Sequence, residues 1–327
     1  MKHGGDLTQA MAEFGGAADE WLDLSTGINP WPWPMRKLPD SAWQRLPSRA
    51  DEQALLAAAH SAYRVPDDAG IVAANGTQAL IQLLPRLATD GAVAIVGPTY
   101  SEHSAAWSDA GHPIAAIGNL AELPAHVTHA VIVNPNNPDG RIVEPDRLVE
   151  IAVVLQRRGG WLVIDEAFAD VESGISAMAS CGKLPVVILR SFGKFYGLAG
   201  IRLGFAVTTP DFAHRIHALL GPWAVSGPAL YVGTKALNDA PWAMQTRVRL
   251  AAQAIKLDGV LLKAGFDVVG GTSLYRFARH PAALALHRRL AQKRIWCRSF
   301  DWSRDMLRFG LPHDAEALDR LAAALAP

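Results

Sequence analysis

Six short, continuous apolar runs constrain the fold of this chain more than any other feature of its sequence. Strands buried on both faces form continuous apolar runs, whereas half-exposed strands alternate apolar and polar residues. Helix-like stretches such as 77–88 and 145–158 separate several of the runs. This alternation predicts an α/β fold whose mostly parallel sheet is covered by helices. The runs are 71–74, 92–96, 130–133, 161–164, 186–189 and 203–207.

The predicted elements divide the chain into three parts. Residues 1–48 form an N-terminal arm and part of a small domain, and Trp31-Pro32-Trp33-Pro34 is stiff and extended because proline fixes φ and lacks an N–H group. Residues 49–240 form the large α/β domain. Residues 241–327 form a smaller α+β domain with a long helical pattern, strands near 266–269, 274–277, 295–298 and 306–309, and a helix over 314–325.

Composition narrows the class of protein. Half of the residues are hydrophobic and 19% are charged, which allows a large core and excludes intrinsic disorder. Lys+Arg and Asp+Glu both total 31, so nucleic acid is not an expected partner. The chain has no apolar run of about 18 residues and no apolar signal segment, so we expect a cytoplasmic protein with no membrane partner. Cys181 and Cys297 make no disulfide framework, and no C-x-x-C pair indicates a metal.

Polar motifs follow the predicted strands at their carboxyl ends, where open α/β sheets bind ligands. Asn75-Gly76-Thr77-Gln78 opens a helix after the first run, so its N–H groups and the positive helix end can bind a phosphate. An ordinary turn capped by Thr77 is the alternative. In Asn134-Pro135-Asn136-Asn137-Pro138-Asp139-Gly140, the prolines and the final glycine predict a tight turn that holds the Asn137 amide rigidly for a ligand. A plain turn explains the same residues.

Two charged residues follow the next runs. Asp165 ends a buried strand, where a carboxylate is costly unless it meets a ligand, a buried ion pair or a helix N-terminus. Lys194 follows a buried strand directly, and loss of water there favours the neutral, nucleophilic amine. Ser191-x-x-Lys194 also matches the acylation motif of penicillin-binding proteins, but their Ser-Asp-Asn and Lys-Thr-Gly elements are missing from the sequence.

The order and spacing of these residues indicate one cofactor. Asn137, Asp165 and Lys194 follow one another at intervals just under thirty residues, with the phosphate loop before them and Arg202 eight residues after Lys194. Pyridoxal 5'-phosphate needs a lysine for covalent attachment, an acid at its pyridine nitrogen, a donor to its ring hydroxyl and a phosphate site. The sequence therefore predicts a pyridoxal-phosphate enzyme.

Further segments carry a family resemblance: His3-Gly4-Gly5-Asp6, residues 24–30, Pro98-Thr99-Tyr100, residues 165–168, residues 189–202 and Leu307-Arg308. With these segments the chain resembles fold-type-I pyridoxal-phosphate enzymes, in the branch that contains the histidinol-phosphate aminotransferases. The turn at Asn137 and the Ser-x-x-Lys motif with its later arginine are specific for the broad family. The His3-Gly4-Gly5 arm favours the threonine-phosphate decarboxylases of cobalamin biosynthesis.

The resemblance implies a role for each matching residue. Lys194 would hold the cofactor covalently, Asp165 would pair with the protonated pyridine, Asn137 would donate to the ring hydroxyl, and Tyr100 would stack on the ring. The cofactor phosphate would be bound by Gly76, Thr77, Gln78, Ser191 and Arg202. Arg308 would hold the substrate carboxylate bidentately, and Arg298 would bind a second phosphate with the N-terminal arm. The full set of implied substrate contacts is His3, Gly4, Asn29, Asn137, Arg298 and Arg308.

The function implied by the resemblance is decarboxylation of O-phospho-L-threonine by a homodimer. An aminotransferase acting on histidinol phosphate is the first alternative, and a non-catalytic binding protein with the same fold is the second. The sequence departs from the family at three places. Phe168 replaces a tyrosine that donates to the ring hydroxyl, Leu46 replaces a tyrosine that reaches a neighbouring subunit, and Gly193 stands where serine or threonine is common.

Overall fold

A computed structural model of the chain describes residues 4–172 and 174–326. The strands of these residues are β1 Leu22–Leu24, β2 Gly70–Ala74, β3 Ala92–Val96, β4 Ile114–Ile117, β5 Val127–Val133, β6 Leu162–Asp165, β7 Val186–Ser191, β8 Gly204–Thr208, β9 Asp267–Thr272, β10 Tyr275–Arg279, β11 Ile295–Phe300 and β12 Ser303–Gly310. The α-helices are α1 Thr8–Phe14, α2 Ser41–Gln44, α3 Arg49–Tyr63, α4 Thr77–Leu83, α5 Ser101–Asp109, α6 Pro145–Arg157, α7 Phe192–Phe195, α8 Pro210–Leu220, α9 Gly227–Leu237, α10 Ala240–Lys263, α11 Ala283–Gln292 and α12 Ala315–Leu325.

The chain divides into two compact units. The large unit comprises Trp33–Asn137 and Arg141–Ala243, and the small unit comprises the described parts of Met1–Pro32, Pro138–Gly140 and Met244–Pro327. Compactness alone does not establish which segments fold independently. The boundaries after residues 48 and 240 therefore remain a prediction.

The large unit contains a seven-stranded sheet in the order β2-β8-β7-β6-β5-β3-β4. Each of the six apolar runs corresponds to one of its strands, and β3 to β7 pair in parallel. β8 is antiparallel to both of its neighbours, a direction that its apolar run does not encode. The sequence missed the edge strand β4, because its side chains are only partly buried and form no continuous core run.

Helices cover this sheet, and α4 shows why its predicted length was too long. The α-helix ends at Leu83, and the chain continues as a 3₁₀ turn over Leu84–Leu87. Pro85 lies in that turn, and a proline there cannot supply the N–H group that a continuing α-helix needs. Leu80 of α4 and Trp107 of α5 belong to one buried core with side chains of β3 and β7.

The small unit contains a five-stranded sheet in the order β1-β11-β12-β10-β9. The four predicted C-terminal strands are present as β9 to β12, and neighbours among them pair antiparallel. The sequence missed β1, a three-residue strand that pairs parallel with β11, because so short a segment has no recognisable periodicity. Within residues 4–172 and 174–326, no helix has the length and apolar character needed to cross a lipid bilayer.

Candidate active site

The carboxyl ends of β5, β6 and β7 bring the predicted residues of the large unit to one edge of the sheet. Asp165 is the last residue of β6, and it pairs with Val133 of β5 on one side and Leu189 of β7 on the other. Ser191 is the last residue of β7. Neighbouring parallel strands end side by side, so residues far apart in sequence converge here.

Two asparagines hold the turn that carries Asn137. Asn134 donates its side-chain amide to Val143 O (3.1 Å) and accepts from Val143 N (2.8 Å). Asn136 donates to Pro98 O (3.0 Å) and accepts from the Thr99 hydroxyl (2.7 Å). Both asparagines are buried and Asn137 is half-buried, so the turn has two structural amides and a third that is more accessible.

Asp165 is buried and receives a histidine hydrogen bond that the sequence analysis missed. His103 Nε2 lies 2.9 Å from Asp165 Oδ2, and Ala167 N donates to Oδ1 (3.0 Å). A carboxylate only accepts hydrogen bonds, so His103 Nε2 carries the hydrogen. His103 lies one helical turn after Tyr100, and this three-residue spacing is the sequence signal that could have revealed it.

Tyr100 links this pair to the start of α4. Its hydroxyl donates to Gln78 Oε1 (3.1 Å), and Gln78 Nε2 donates to Glu102 Oε2 (2.9 Å). Burial, followed by the charges of Glu102 and Asp165, raises the pKa of Tyr100 to about 12, so its hydroxyl stays a donor at neutral pH. Because the Gln78 side chain is engaged, what Gln78 offers a phosphate is its backbone N–H group.

A second cluster combines close backbone approach with a guanidinium. Gly76 has a φ of 78°, and a Cβ atom there would lie 2.7 Å from Arg202 Nη2. A Cβ atom on Gly204 would lie 2.5 Å from Thr77 N, so a side chain at this position would cover that amide. Gly204 pairs with Ser191 across β7 and β8. The start of α4, Arg202 and Ser191 therefore lie close together, and N–H groups, a guanidinium and a hydroxyl are donors that suit a phosphate dianion.

Lys194 lies in α7, directly after β7, and is half-buried. Its Nζ atom is 5.6 Å from the centroid of the Phe168 ring. An aromatic stack steadies α7: the Tyr196 ring lies 4.5 Å from Phe192 and 5.5 Å from Trp242, nearly parallel to both. The amine is thus held beside an apolar ring rather than in bulk water.

A buried ion cluster lies beside these residues in the chain. Arg190 donates to Glu166 Oε2 (2.8 Å) and to Asp170 Oδ1 (2.6 Å). Burial raises the pKa of Glu166, whereas the Arg190 charge opposes that shift. Glu166 follows Asp165 and Arg190 precedes Ser191, so the cluster ties together the ends of β6 and β7.

The small unit places two predicted arginines opposite each other. Arg298 of β11 and Arg308 of β12 are cross-strand partners, and Arg308 is only 6% exposed. Burial is the main reason that the pKa of Arg308 is lowered to about 10, with Tyr275 opposing the shift and Arg298 adding to it. Burial also lowers the pKa of Arg298. Two neighbouring guanidinium groups repel each other, and an anion bound between them relieves that repulsion.

The N-terminal arm approaches Arg308 through Ser25. Arg308 Nη2 donates to Ser25 O (2.7 Å), and a Cβ atom on Gly4 would lie 2.5 Å from the same oxygen. Asn29 is buried and its side chain accepts from Trp31 N (2.9 Å), which gives it a role in this turn. His3, also predicted to contact substrate, lies outside the described residues.

Comparison with known proteins identifies the family of the chain. The family model for aminotransferase class I and II matches residues 48–325. A threonine-phosphate decarboxylase of Pseudomonas aeruginosa is 42% identical over 99% of this chain and 97% of its own length, and one of a Sinorhizobium species is 43% identical over the same shares.

Solved structures share the fold. A histidinol-phosphate aminotransferase of Sinorhizobium meliloti, in complex with pyridoxal-5'-phosphate, has a TM-score of 0.85 and 20% identity, covering 98% of this chain and 93% of its own. The L-threonine-O-3-phosphate decarboxylase of Porphyromonas gingivalis has a TM-score of 0.75 and 18% identity, covering 93% and 98%. The predicted resemblance and the α/β fold class are confirmed.

Proposed function

Since the chain belongs to the aminotransferase class I and II family, we propose that it is a pyridoxal-phosphate-dependent lyase. Its reaction is the decarboxylation of O-phospho-L-threonine to (R)-1-aminopropan-2-yl phosphate, a step of cobalamin biosynthesis. The observation that carries this proposal is the similarity to two threonine-phosphate decarboxylases over almost the whole chain. The aminotransferase alternative rests on the broader family alone.

The donor set of the large unit fits pyridoxal 5'-phosphate. The amides of Gly76, Thr77 and Gln78, with Ser191 and Arg202, would bind its phosphate, and the space kept by Gly76 and Gly204 is consistent with that role. When bound, the cofactor supplies a ring that accepts electrons from the reacting carbon.

The remaining residues of this unit would orient the cofactor and manage protons. Asp165, oriented by its hydrogen bond from His103, would keep a proton on the pyridine nitrogen. Asn137 would donate to the ring hydroxyl, and Tyr100 would cover one face of the ring. Lys194 would hold the cofactor through Nζ and would move a proton at that atom, beside the Phe168 ring.

The arginine pair of the small unit supports a substrate that carries two anionic groups. Arg308 would bind the carboxylate, because a guanidinium matches its two oxygens. Arg298, directly opposite, would bind the substrate phosphate with Gly4 of the N-terminal arm, with Asn29 and the predicted contact His3 completing the set. A substrate with a carboxylate and a phosphate offers an anionic group to each arginine, whereas threonine offers one to Arg308 alone.

The proposed enzyme is a homodimer. Trp43, Leu46 and Trp223 are 68%, 68% and 59% exposed, and Pro47 and Trp223 line one cavity of about 220 Å³. Large apolar side chains exposed in this way favour association with another chain. We expect the wild type to sediment as a dimer and Trp223→Glu to dissociate, whereas Trp302→Glu, at an exposed tryptophan of the small unit, leaves sedimentation unchanged. A monomeric active wild type would refute the dimer.

A product assay tests the reaction. The enzyme loaded with pyridoxal 5'-phosphate should release CO₂ from O-phosphothreonine and little from threonine. In a parallel incubation with histidinol phosphate and 2-oxoglutarate, it should form no glutamate. Formation of glutamate without CO₂ would show an aminotransferase instead of a lyase. The absence of both products would favour the binding-protein alternative. Borohydride reduction followed by peptide mass spectrometry should find the cofactor on Lys194.

A further inference from the structure

Helix α10 exposes a column of aliphatic side chains that the proposed reaction does not use. Met244, Val248, Ile255 and Leu262 are 65%, 72%, 69% and 59% exposed, and we call these four residues the α10 stripe. The last three are spaced seven residues apart, and seven residues bring a helix to within about 20° of two full turns. The stripe therefore runs along the helix in line, as the seam of a coiled coil does.

Basic and small side chains lie beside the stripe at regular positions along the helix. Arg249, Lys256 and Lys263, which we call the basic row, each follow a stripe residue by one position, and all three are exposed. The Arg249 guanidinium lies 3.7 Å from the centroid of the Trp31 ring, so Lys256 and Lys263 are the row's outward charges. Ala252 and Gly259 lie on the same side, between the stripe and this basic row, because each is three or four residues from Ile255. Small residues beside a seam let a second helix approach closely.

The acidic residue of this helix does not alter that pattern. Asp258 Oδ1 accepts a hydrogen bond from Arg276 Nε (2.7 Å), and the two residues form an ion pair within the small unit that balances the Asp258 charge. The opposite face of α10 packs in the core, where Leu250, Leu257 and Leu261 are fully buried. The stripe and its basic row are thus the outward surface of an anchored helix.

We propose that the α10 stripe docks an amphipathic helix of a partner protein whose apolar seam is flanked by acidic side chains. The heptad spacing fits the side chains of one facing helix, and the basic row calls for negative charge opposite it. A second copy of this helix would bring a basic row of its own. A bilayer calls for a broad apolar face, whereas this column is one side chain wide and bordered by small residues.

Two synthetic helical peptides, each about three heptads long with the same leucine seam, supply the probe. One carries glutamate and the other lysine at the flanking positions, and binding to the wild-type protein is followed by fluorescence anisotropy. We expect the glutamate peptide to bind about tenfold more tightly, since several exposed charge pairs contribute, and the preference to shrink as salt screens them. Equal binding of both peptides, or of neither, overturns the proposal.

Paired variants assign the binding to the stripe. Val248→Gln with Ile255→Gln should abolish it and should stay folded by circular dichroism, because both positions are exposed and glutamine favours helix. The matched control changes two exposed leucines of other helices, Leu219→Gln with Leu284→Gln, and should bind like the wild type. Undiminished binding by the stripe variant overturns the proposal.

Charge reversal is the second test and removes no apolar contact. Lys256→Glu with Lys263→Glu should transfer the preference to the lysine peptide, whereas Lys37→Glu with Lys183→Glu, at exposed lysines elsewhere, should not. An unchanged preference in the first variant overturns the proposal.

Two further measurements test whether a second copy of the chain or a membrane binds the α10 stripe instead. Assembly beyond a dimer in sedimentation, lost in the stripe variant, would assign the surface to a second copy and overturn the proposal. Flotation with phosphatidylserine vesicles, lost in the same variant, would assign it to a membrane and overturn the proposal as well. Neither behaviour is expected.

Discussion

Replacing Gly204 by alanine tests the phosphate site with a single methyl group. The added Cβ atom would lie 2.5 Å from Thr77 N and 2.8 Å from Gly76 C. Both are backbone atoms at the start of α4, so no side chain can rotate away to make room. Overpacking of this kind costs about 1–3 kcal/mol, and a lost hydrogen bond to a charged group costs about 1.5–3 kcal/mol.

The expected result is weaker cofactor binding by a folded protein. A loss of about 1.5–3 kcal/mol corresponds to roughly 10- to 150-fold in Kd for pyridoxal 5'-phosphate. Titration of the cofactor-free protein, followed by absorbance, measures Kd, and thermal unfolding without cofactor measures the packing cost separately.

A neighbouring glycine is the matched control. Gly200 is exposed, and a Cβ atom there meets no atom within 4 Å. Gly200→Ala should therefore keep the wild-type Kd and gain up to about 1 kcal/mol of stability, because alanine restricts the unfolded chain. Wild-type cofactor affinity in Gly204→Ala would refute the assignment of the phosphate site to the start of α4.

Four further predictions concern catalysis, specificity, packing and pH. Asp165→Asn should still bind cofactor but lose about 10²-fold or more in kcat, because an amide cannot stabilise the protonated pyridine; near-normal kcat would reassign Asp165 to a structural role. Arg298→Ala should erase most of the preference for O-phosphothreonine over threonine in kcat/KM, whereas Arg308→Ala should impair both substrates. Arg190→Met leaves two buried carboxylates without their counter-charge and should cost about 3–5 kcal/mol in urea unfolding. This loss should diminish in acid, because burial already raises the pKa of Glu166 and its carboxyl then protonates. Burial lowers the pKa of His129, so below about pH 6.5 the unfolded chain binds a proton that the folded chain does not. The free energy of unfolding therefore falls as the pH falls. His129→Phe should make this fall shallower in denaturant titrations between about pH 5.5 and 8.

Much of the large unit could be predicted because each of the sequence signals for its strands and site residues lies within one short segment. A continuous apolar run marks a buried strand, and a polar residue after it marks the edge where parallel strands end together. Asp165 and Ser191 were therefore predicted at one edge without knowledge of the strand order. An apolar run does not indicate which way its strand runs in the sheet, so the sequence could not show that β8 is antiparallel to its neighbours.

What the sequence missed depends on contacts between distant segments. His103 and Asp165 are 62 positions apart, and only the pairing of strands brings the imidazole to the carboxylate. Gly204 looks like an ordinary strand residue until its closeness to Thr77 N is known. Likewise, Arg298 and Arg308 were predicted separately, and the register of β11 and β12 makes them a pair.

The ends of β6 and β7 each combine a residue proposed for the site with a neighbour committed to the buried ion cluster. Side chains alternate between the two faces of a strand, so Ser191 can face the cofactor only if Arg190 faces the opposite side. Arg190 is stable there because Glu166 and Asp170 provide its counter-charges, and Glu166 in turn follows Asp165. A change in the cluster should therefore lower stability and displace both site residues together, whereas a change at Asp165 or Ser191 should alter chemistry at nearly constant stability.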